Sequence, residues 1–461
     1  MSTLPDETRT ARNRRLAMFS SYLGTAVEYY DFLLYGTAAS LVFPILFFPE
    51  TNQLVGTLAS FGTLAVGYFA RPIGGVIFGH FGDRLGRRRM LVLTLVIMGA
   101  VSFCIGLVPT YETIGVAAPI LLVLLRLIQG VAVGGEWAGA ALMSMEHAKP
   151  QQRGFAASIV ASGGPTGAVL ATLVLTPFSL LPEEQFLTWG WRIPFLLSAV
   201  LVIIGLLLRL RVTESPQFEA AQKLAAATAT EGVKKRAPLF LVFRHNPLQM
   251  LSGMFGGFAP LFMQSILATF VLTYSVAVVG IPRTEALWLI TVANAIHIVT
   301  IPLFARLSDK VGRKPVMIAG AVAGLVLVWP MFTLLDLGTW WSVLAAFVIG
   351  NPIIQAIMYG PYGAWLGEKF AADVRYTGVA VTYQFATTFG AGLAPLVATG
   401  LLAAGGGKNP FFILLFFCAL CVLSGLAYVF SRETHNSELA TTTGSFSSVR
   451  AERLDEVRAG D

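Results

Sequence analysis

Long apolar runs recur along the whole chain, and they constrain its fold more than any other feature. Division at the charged and Pro/Gly-rich breaks gives twelve runs, each of about 20 residues or more. Such a run spans a bilayer as an α-helix, because lipid offers no partner to an unpaired backbone group. Only 12% of the residues are charged, against roughly 25% in a soluble domain. The sequence therefore predicts an all-α polytopic membrane protein with twelve transmembrane helices in two six-helix lobes.

The predicted domain boundaries follow from the positions of these runs. The spans cover residues 17–47, 54–80, 90–108, 116–147, 154–180, 192–210, 247–277, 284–305, 315–335, 339–366, 375–402 and 409–431. We expect a cytoplasmic N-terminus at 1–16, lobes at 17–210 and 247–431, a cytoplasmic linker at 211–246 and a cytoplasmic tail at 432–461.

Basic residues predict the orientation of the chain in the membrane. With the N-terminus in the cytoplasm, 27 of the 32 Lys and Arg lie on the cytoplasmic side, as positive-inside loops require. Arg192, Arg283 and Lys408 would lie outside, and Arg71 and Arg126 within spans. The net charge of +7 comes from short clusters between apolar runs, so we expect no nucleic-acid partner.

Motifs for metal, nucleotide or covalent chemistry are missing from the sequence. The three cysteines lie inside apolar runs, and no Cys/His ligand set accompanies them. No GxxxxGK[ST] loop, HExxH or GxSxG motif is present. We therefore expect no metal, no cofactor and no enzymatic activity, and an energy source other than ATP.

An internal repeat relates the two halves of the chain. GHFGDRLGRR at 79–88 recurs as ARLSDKVGRK at 305–314, and Glu146 before Arg153 recurs as Glu368 before Arg375. The offsets of 226 and 222 residues indicate one duplicated six-helix unit.

The repeated acids and arginines suggest a conformational latch at the cytoplasmic surface. Asp83 could face helix N-termini and Arg153 or Arg87, and such contacts can hold two bundles together in one conformation only. Simple positive-inside charge would explain the arginines but not matched acids in both halves. The predicted latch residues are Asp83, Arg84, Arg87, Glu146, Arg153, Asp309, Arg313, Glu368 and Arg375.

Charged residues inside the first six spans form the main candidate site, because a charge in hydrocarbon is costly. They are Glu28, Asp31, Arg71, Arg126 and Glu136. All except Arg126 lie at a depth of about 15–21 Å, counted along the helices, so they could share one central cavity. Three acids and two arginines leave one surplus negative charge, which favours a bound proton. A static salt-bridge network that fixes helix packing is the alternative.

Polar residues in the remaining spans are candidates for substrate contact. The main titratable one is His297. Asn351 and Gln355 are further candidates, and the predicted substrate-binding residues are Arg71, Arg126, Tyr30, Glu136, Trp137, Gln264, Asn294, His297, Tyr359, Tyr383 and Gln384. Any of the polar side chains could instead join helices to one another. Gly163-Gly164-Pro165 and Asn351-Pro352 are predicted helix breaks.

Several motifs resemble those of a known family. GHFGDRLGRRR, its second copy and RLIQGVAVGGEW at 126–137 resemble signatures of the major facilitator superfamily. EYYDF at 28–32, WGWRIPF at 189–195 and ESPQF at 214–218 resemble the bacterial metabolite:proton symporters, which carry shikimate, proline/betaine, citrate or 2-oxoglutarate. The first half is most similar to the shikimate type. The resemblance implies that Asp31 on span 1 and Arg126 on span 4 form a coupling pair.

The predicted function is import of a small organic acid, such as shikimate, an aromatic acid or a di- or tricarboxylate, together with protons. Asp31 and Glu136 are the first proton-coupling candidates, Glu28 is the reserve, and Arg71 is the predicted carboxylate anchor. We expect a monomer in the bacterial inner membrane. A uniporter or exchanger, a proline/betaine carrier, and a membrane sensor with 432–461 as its output remain alternatives.

Overall fold

The computed structural model describes residues 4–50, 53–215, 218–220, 222 and 238–435, and within these ranges the chain forms long helices and no β-strand. In chain order the twelve long helices of this described part are α1 (Leu4–Leu41), α2 (Gln53–Leu85), α3 (Arg87–Leu107), α4 (Ala117–Glu146), α5 (Arg153–Ser179), α6 (Arg192–Arg209), α7 (Pro247–Ala268, continued as Phe270–Ala277), α8 (Arg283–Val311), α9 (Arg313–Asp336), α10 (Trp340–Gly367), α11 (Arg375–Ala404) and α12 (Phe411–Phe430).

Each predicted span corresponds to one of these helices. In the described residues, ten helices, α3 to α12, are long and apolar enough to cross a membrane. The first two predicted spans lie in α1 and α2, which have 38 and 33 residues. Two helices extend into segments that the sequence placed outside the spans. Helix α1 begins at Leu4, inside the predicted N-terminal segment, and a helix at Pro238–His245 occupies part of the predicted linker. Residues 223–237 of the linker and 436–461 of the tail lie outside the described residues.

The repeated motif is mostly helical and not a loop. Helix α2 ends at Leu85 and α3 begins at Arg87, so Gly86 alone connects them, with a φ of 104°. Gly312 connects α8 to α9 in the same way, with a φ of 103°. Glycine adopts a positive φ without the clash that a Cβ would cause. We call the end of the helix bundle that carries these two glycines the motif end.

A glutamate from a distant segment caps the helix that follows each of these glycines. Glu214 accepts hydrogen bonds from the backbone N–H groups of Arg87 at 3.1 Å and Arg88 at 3.2 Å. Glu433 accepts equivalent bonds from Arg313 and Lys314, both at 3.0 Å. A carboxylate at a helix N-terminus satisfies donors that have no partner within the helix. The internal repeat therefore extends beyond α6 and α12, which the sequence comparison missed.

The two halves contact each other through several helix pairs. Helix α2 lies against α11, α5 lies against α8 and α10, and α4 lies against α10 and α11. Within the first half, α2 and α4 approach each other through glycine. A Cβ at Gly74 would collide with the backbone carbonyl of Val131, and one at Gly134 would collide with that of Arg71. Small residues allow this backbone contact, which supplies van der Waals packing that lipid does not.

The second repeat has Ala305 where the first has Gly79, and its close packing is preserved by glycines on neighbouring helices. A Cβ at Gly79 would lie 2.8 Å from Thr377 Cα. Ala305 is fully buried, and Gly154 and Gly360 face its helix. Their Cβ atoms would lie 3.1 Å from Ala305 O and 2.7 Å from Ile301 O, respectively. In the second half, the glycines that allow close packing therefore lie on the neighbouring helices and not at position 305.

Neither of the two predicted helix breaks interrupts its helix. Helix α5 continues through Gly163-Gly164-Pro165 from Arg153 to Ser179. Gly163 and Gly167 serve packing instead, because their Cβ atoms would come within 2.7 Å of backbone atoms of α1. At Asn351-Pro352 the helix is irregular but continuous, since Ile349–Gln355 forms a π-helical turn within α10. The proline there removes a backbone donor, which the wider turn accommodates.

Gly74→Ala tests the contact between α2 and α4. The new Cβ would meet backbone atoms of Val131, which cannot turn aside as a flexible side chain could. We expect a loss of stability of about 1–3 kcal/mol, as for an overpacked core. Gly36→Ala is the matched control, since nothing lies within 4 Å of its Cβ position. Equal melting temperatures of the two variants in detergent would contradict this account.

Glu433→Gln tests the cap of α9. Burial raises the pKa of the Glu433 carboxyl, but four backbone N–H donors hold it below the ordinary value of 4.5. The charge therefore stabilises the fold above pH 4.5, and this contribution is lost as pH falls through the lowered pKa. We expect the variant to be less stable by about 0.3–1 kcal/mol near neutral pH.

The measurement is the melting temperature of both proteins in detergent from neutral to acid pH. The difference between them should shrink in acid, where Glu433 of the wild type also becomes neutral. Glu219→Gln, at an exposed position, is the control. A difference that persists unchanged below the pKa of Glu433 would show that its charge does not stabilise α9.

Candidate functional site

A small cavity lies among α1, α2 and α4 and contains most of the charged groups predicted from the sequence. It is lined by Glu28, Phe32, Gly67, Arg71, Arg126, Gln129, Gly130 and Val133. The three charged side chains are at most 7% exposed. Gly67 makes room for one of them, because a Cβ there would lie 2.8 Å from Arg126 Nε.

Aromatic rings hold the two guanidinium groups of the cavity in place. The Arg71 guanidinium carbon lies 4.5 Å from the ring centre of Tyr68 and 5.1 Å from that of Phe32. The Arg126 carbon lies 4.3 Å from the ring of Tyr35 and 4.8 Å from that of Phe32. In the part of the chain that the structure describes, neither guanidinium has a carboxylate oxygen within 4.0 Å. The cavity thus presents two cations without a direct anionic partner among these residues.

Asp31 and Arg126 are connected indirectly and not by a salt bridge. The Asp31 carboxylate accepts a 2.6 Å hydrogen bond from the Ser102 hydroxyl. That hydroxyl accepts one from the Gln129 amide at 2.9 Å, and the Gln129 carbonyl oxygen accepts one from Arg126 Nη1 at 2.7 Å. Sequence reasoning missed Ser102 and Gln129. The only signal was a polar residue one helical turn after Arg126.

Glu136 is engaged by a residue that the sequence assigned to the membrane surface. Arg209, at the end of α6, forms a bidentate ion pair with the Glu136 carboxylate, and Thr94 donates to the same group at 2.7 Å. A Cβ at Gly24 would collide with this pair. Both charges are buried. Contrary to the prediction, Glu136 therefore does not line the cavity. With Arg209 added, the charged residues predicted within the first six spans comprise three acids and three arginines, so no surplus charge remains.

Glu28 remains in the cavity with one unpaired oxygen. Among the described residues its Oε2 has no hydrogen-bond partner, although Arg71 lies within electrostatic range. The neighbouring Tyr29 is close enough to interact electrostatically with Glu28 and with Tyr383 of the second half. Tyr30, which the sequence proposed for substrate contact, donates instead to the Pro194 carbonyl at 2.8 Å and is fully buried.

Aromatic side chains from both halves meet beside this cavity. The Trp137 ring of α4 stacks on the Tyr383 ring of α11 with 3.5 Å between centres and 6° between planes. Tyr383 and Tyr359 share a hydrogen bond of 2.9 Å between their hydroxyls. Tyr383 also lies within electrostatic range of Glu28 and Arg71. The stack therefore closes the centre of the molecule where the two halves face each other.

Other predicted contacts of the second half join helices in this structure. His297 and Gln355 share a 2.7 Å hydrogen bond between Nε2 and Oε1, in which the histidine donates because the amide oxygen accepts. Gln384 Nε2 donates to the Gly134 carbonyl across the two halves at 2.9 Å. Gln264 and Asn294 are half-buried. Asn351 is buried within the π-helical turn of α10.

At the motif end, each half caps a helix of the other. Asp83 accepts hydrogen bonds from the backbone N–H groups of Tyr376 at 3.0 Å and Thr377 at 2.9 Å, in the first turn of α11. Asp309 accepts equivalent bonds from Gly154 at 2.9 Å and Phe155 at 2.8 Å, in the first turn of α5. The expectation that Asp83 faces a helix N-terminus is thereby confirmed, and Arg87, the other expected partner, lies within electrostatic range of it.

Ion pairs reinforce these caps. Glu146 binds Arg87 of its own half and Arg375 of the other, each at 2.9 Å. In the second half, Arg313 binds Asp309 at 2.6 Å and Glu368 at 3.2 Å. Arg153 lies within electrostatic range of Glu368, whereas Arg84 is exposed.

Hydroxyl groups after each capping glutamate complete the arrangement. Ser215, next to Glu214, donates to Glu146. Thr434, next to Glu433, donates to Glu368 at 2.6 Å. The described residues contain no group of three or more His, Cys, Asp or Glu side chains placed to hold a metal ion.

Comparison with known proteins agrees with this architecture. The sequence model of the Major Facilitator Superfamily matches residues 22–287 and 253–455. The shikimate transporter of Escherichia coli is 40% identical over 440 residues, covering 95% of this chain and 99% of that protein. The inner membrane metabolite transport protein YhjE of Escherichia coli is 38% identical, covering 93% and 96%. A glycine betaine/proline/ectoine/pipecolic acid transporter of Dickeya dadantii is 32% identical, covering 93% and 85%.

A solved structure shares the fold. The proton:xylose symporter XylE bound to 6-bromo-6-deoxy-D-glucose superposes with a TM-score of 0.77 at 18% identity, covering 95% of this chain and 99% of that chain. The twelve helices, the duplicated motif and the sequence relatives lead to one assignment. This chain is a multi-pass membrane transporter of the major facilitator superfamily and not an enzyme.

Proposed function

We propose that this protein is a proton-coupled symporter that imports a small organic acid by alternating access. The observation that carries the proposal is the pair of buried guanidinium groups, Arg71 and Arg126, in one cavity without a carboxylate within 4.0 Å among the described residues. Such a site favours an anionic ligand, and a guanidinium can bind a carboxylate through two parallel hydrogen bonds. The similarity to a shikimate transporter supports the same class of substrate.

Charge balance argues for proton coupling. The intramembrane acids Glu28, Asp31 and Glu136 equal the arginines Arg71, Arg126 and Arg209 in number. A bound carboxylate adds one negative charge in a region of low dielectric, where an uncompensated charge is costly. One proton taken up with each monoanion would restore neutrality. We assign the proton to Asp31 or Glu28, because Glu136 already has a bidentate partner.

We further propose that the motif end faces the cytoplasm and that the caps by Asp83 and Asp309 hold the outward-facing state. In the topology predicted from the sequence, most Lys and Arg residues lie on the same side of the membrane as the motif end, and basic residues favour the cytoplasmic side. Both aspartates bind across the two halves, so these bonds must break when the motif end opens.

Purified protein in liposomes tests the proposal. An imposed pH gradient, alkaline inside, should drive accumulation of labelled shikimate, and a protonophore should abolish it. Protein-free liposomes are the control. Equilibration without accumulation would indicate a uniporter, uptake only into liposomes preloaded with unlabelled substrate would indicate an exchanger, and no flux under either condition with any ligand of the panel below would favour a sensor. Each of these results would contradict symport.

A zwitterion carrier is the second candidate. The unpaired oxygen of Glu28 lies in the same cavity as two guanidinium groups, so the site could hold both charges of proline or betaine. A thermal-shift panel of shikimate, hydroxybenzoates, di- and tricarboxylates, 2-oxoglutarate, proline and betaine separates the two classes, since a ligand stabilises the protein by mass action. Stabilisation by betaine but by no organic acid would replace the first proposal.

Arg71→Lys tests the carboxylate anchor. A lysine keeps the charge but loses the planar pair of donors, so we expect binding to weaken about tenfold, which corresponds to roughly 1.4 kcal/mol. Arg306→Lys, at an exposed position of α8, is the control. Isothermal titration with the ligand chosen from the panel gives both affinities. Wild-type affinity in Arg71→Lys would remove Arg71 from the site.

Asp83→Asn tests the proposed latch. The neutral side chain weakens the cap of α11, so the population should shift about fivefold or more toward opening at the motif end. An Ala157→Cys reporter, buried between the halves, should react faster with a thiol reagent in a background without Cys104, Cys418 and Cys421.

The matched control is Asp336→Asn. Asp336 accepts a 2.8 Å hydrogen bond from Tyr274 within the second half, at the opposite end of the helices. It should leave the labelling rate unchanged. If Asp83→Asn also labels at the wild-type rate, Asp83 does not stabilise the closed motif end.

A further inference from the structure

Three hydrogen bonds connect the cavity to a carboxyl group behind it. Arg126 and Gln129 line the cavity, whereas Ser102 and Asp31 are not among the side chains that line it in the described chain. All four are buried, at 3% exposure or less. The bonds run from Arg126 to Gln129, from Gln129 to Ser102 and from Ser102 to Asp31, at 2.7, 2.9 and 2.6 Å. The uncharged middle residues are therefore in contact with both charged ends.

The chemistry of the donors sets the direction of this chain. A guanidinium group only donates, so the amide oxygen of Gln129 faces Arg126 and its N–H group faces Ser102. The Ser102 oxygen accepts that N–H and directs its own hydrogen to Asp31. Asp31 Oδ2 must then be unprotonated. The arrangement stabilises the ionised carboxylate for as long as Arg126 holds Gln129.

Resting on the proposed proton coupling, we propose that Ser102 and Gln129 are positioning residues that transmit substrate binding at Arg126 to protonation of Asp31. A substrate carboxylate would take up a donor of Arg126 and neutralise its charge. The Gln129 amide could then turn, and Ser102 would lose the partner that directs its hydrogen to Asp31. The carboxylate would accept a proton from water entering at the open end, and would release it when the substrate leaves at the motif end.

The groups that face Asp31 leave one rival explanation. Among the described residues, Arg126 from α4 and Tyr30 from α1 are the charged or titratable side chains within electrostatic range of it, while Ser102 and Ser198 approach as hydroxyls. Arg126 could act on Asp31 through its charge alone. In that case Gln129, whose side-chain hydrogen bonds in the described chain are to Arg126 and Ser102, would be irrelevant to protonation.

The test is the affinity for shikimate, measured by titration calorimetry on the purified full-length protein across a range of pH. In the wild type, affinity should fall as pH rises through the point at which Asp31 ionises. Ser102→Ala removes a charge-assisted bond from the ionised form, so this point should move up by about one pH unit. Gln129→Leu should move it in the same direction. The double variant should shift no further than Ser102→Ala, because the two residues act as one unit.

Two further variants control for packing. Ser162→Ala removes a buried hydroxyl that donates to Ser158 O at 3.1 Å within its own helix, and it should keep the wild-type point. Ser102→Thr keeps the hydroxyl donor, so affinity should fall at the same pH as in the wild type. The point is read only from protein that binds, so a low yield of folded variant does not alter it.

The outcomes separate the relay from the proposed function. A shift in Ser102→Ala with none in Gln129→Leu would overturn the relay in favour of charge alone. No shift in either variant, with pH-dependent binding in the wild type, would overturn the relay and leave proton coupling intact. Affinity that is independent of pH in the wild type would overturn both.

Discussion

Carboxylates at helix N-termini organise the motif end of this protein. Two of them, Glu214 and Glu433, cap helices of their own half, and two, Asp83 and Asp309, cap helices of the opposite half. The first N–H groups of a helix have no partner within it, and they lie at the positive end of its dipole. The same interaction thus fixes each lobe internally and joins the lobes in one conformation. The difference is that the bonds within a lobe can persist while the bonds between lobes break.

The centre of the molecule is organised by a different constraint, the cost of burying charge. Each intramembrane arginine is accommodated in its own way: Arg209 by a carboxylate, Arg126 by an amide and aromatic rings, and Arg71 by aromatic rings. The first arrangement neutralises the arginine with a carboxylate, whereas the other two leave a cation with no carboxylate oxygen within 4.0 Å among the described residues. Aromatic faces attract a guanidinium without occupying its hydrogen-bonding edge. They therefore hold the cations in position and keep them available.

Helix positions and the repeated motif were predictable from the sequence, because hydrocarbon thickness sets span length and the repeated acids stand out in an apolar chain. The side-chain partners were less so. Glu136 was assigned to the cavity because its depth along α4 is right, but the sequence does not state which side of α4 it occupies relative to α6. Arg209 was counted as a surface charge because it ends a span. Its side chain turns inward instead, a choice that depends on the space left by Gly24.

The roles of Ser102 and Gln129, the neutral residues of the hydrogen-bonded chain, could not be predicted for another reason. A serine or glutamine within an apolar run is common, and its partners are set by three-dimensional contacts between α3 and α4. The capping glutamates were missed because they follow the last helix of each half, where the pattern of apolar runs has ended. The pattern of apolar runs therefore predicts the helices but not the contacts made by the segments that follow them.

The position of Glu433 has a practical consequence for handling the protein. It lies three residues beyond the end of α12 and still belongs to the folded lobe through α9. A fluorescent or affinity tag joined directly after Phe430 would therefore delete a helix cap together with Thr434, the hydroxyl partner of Glu368. Fusions and truncations that preserve the native lobe must begin after His435, whose backbone N–H also binds Glu433 at 3.0 Å.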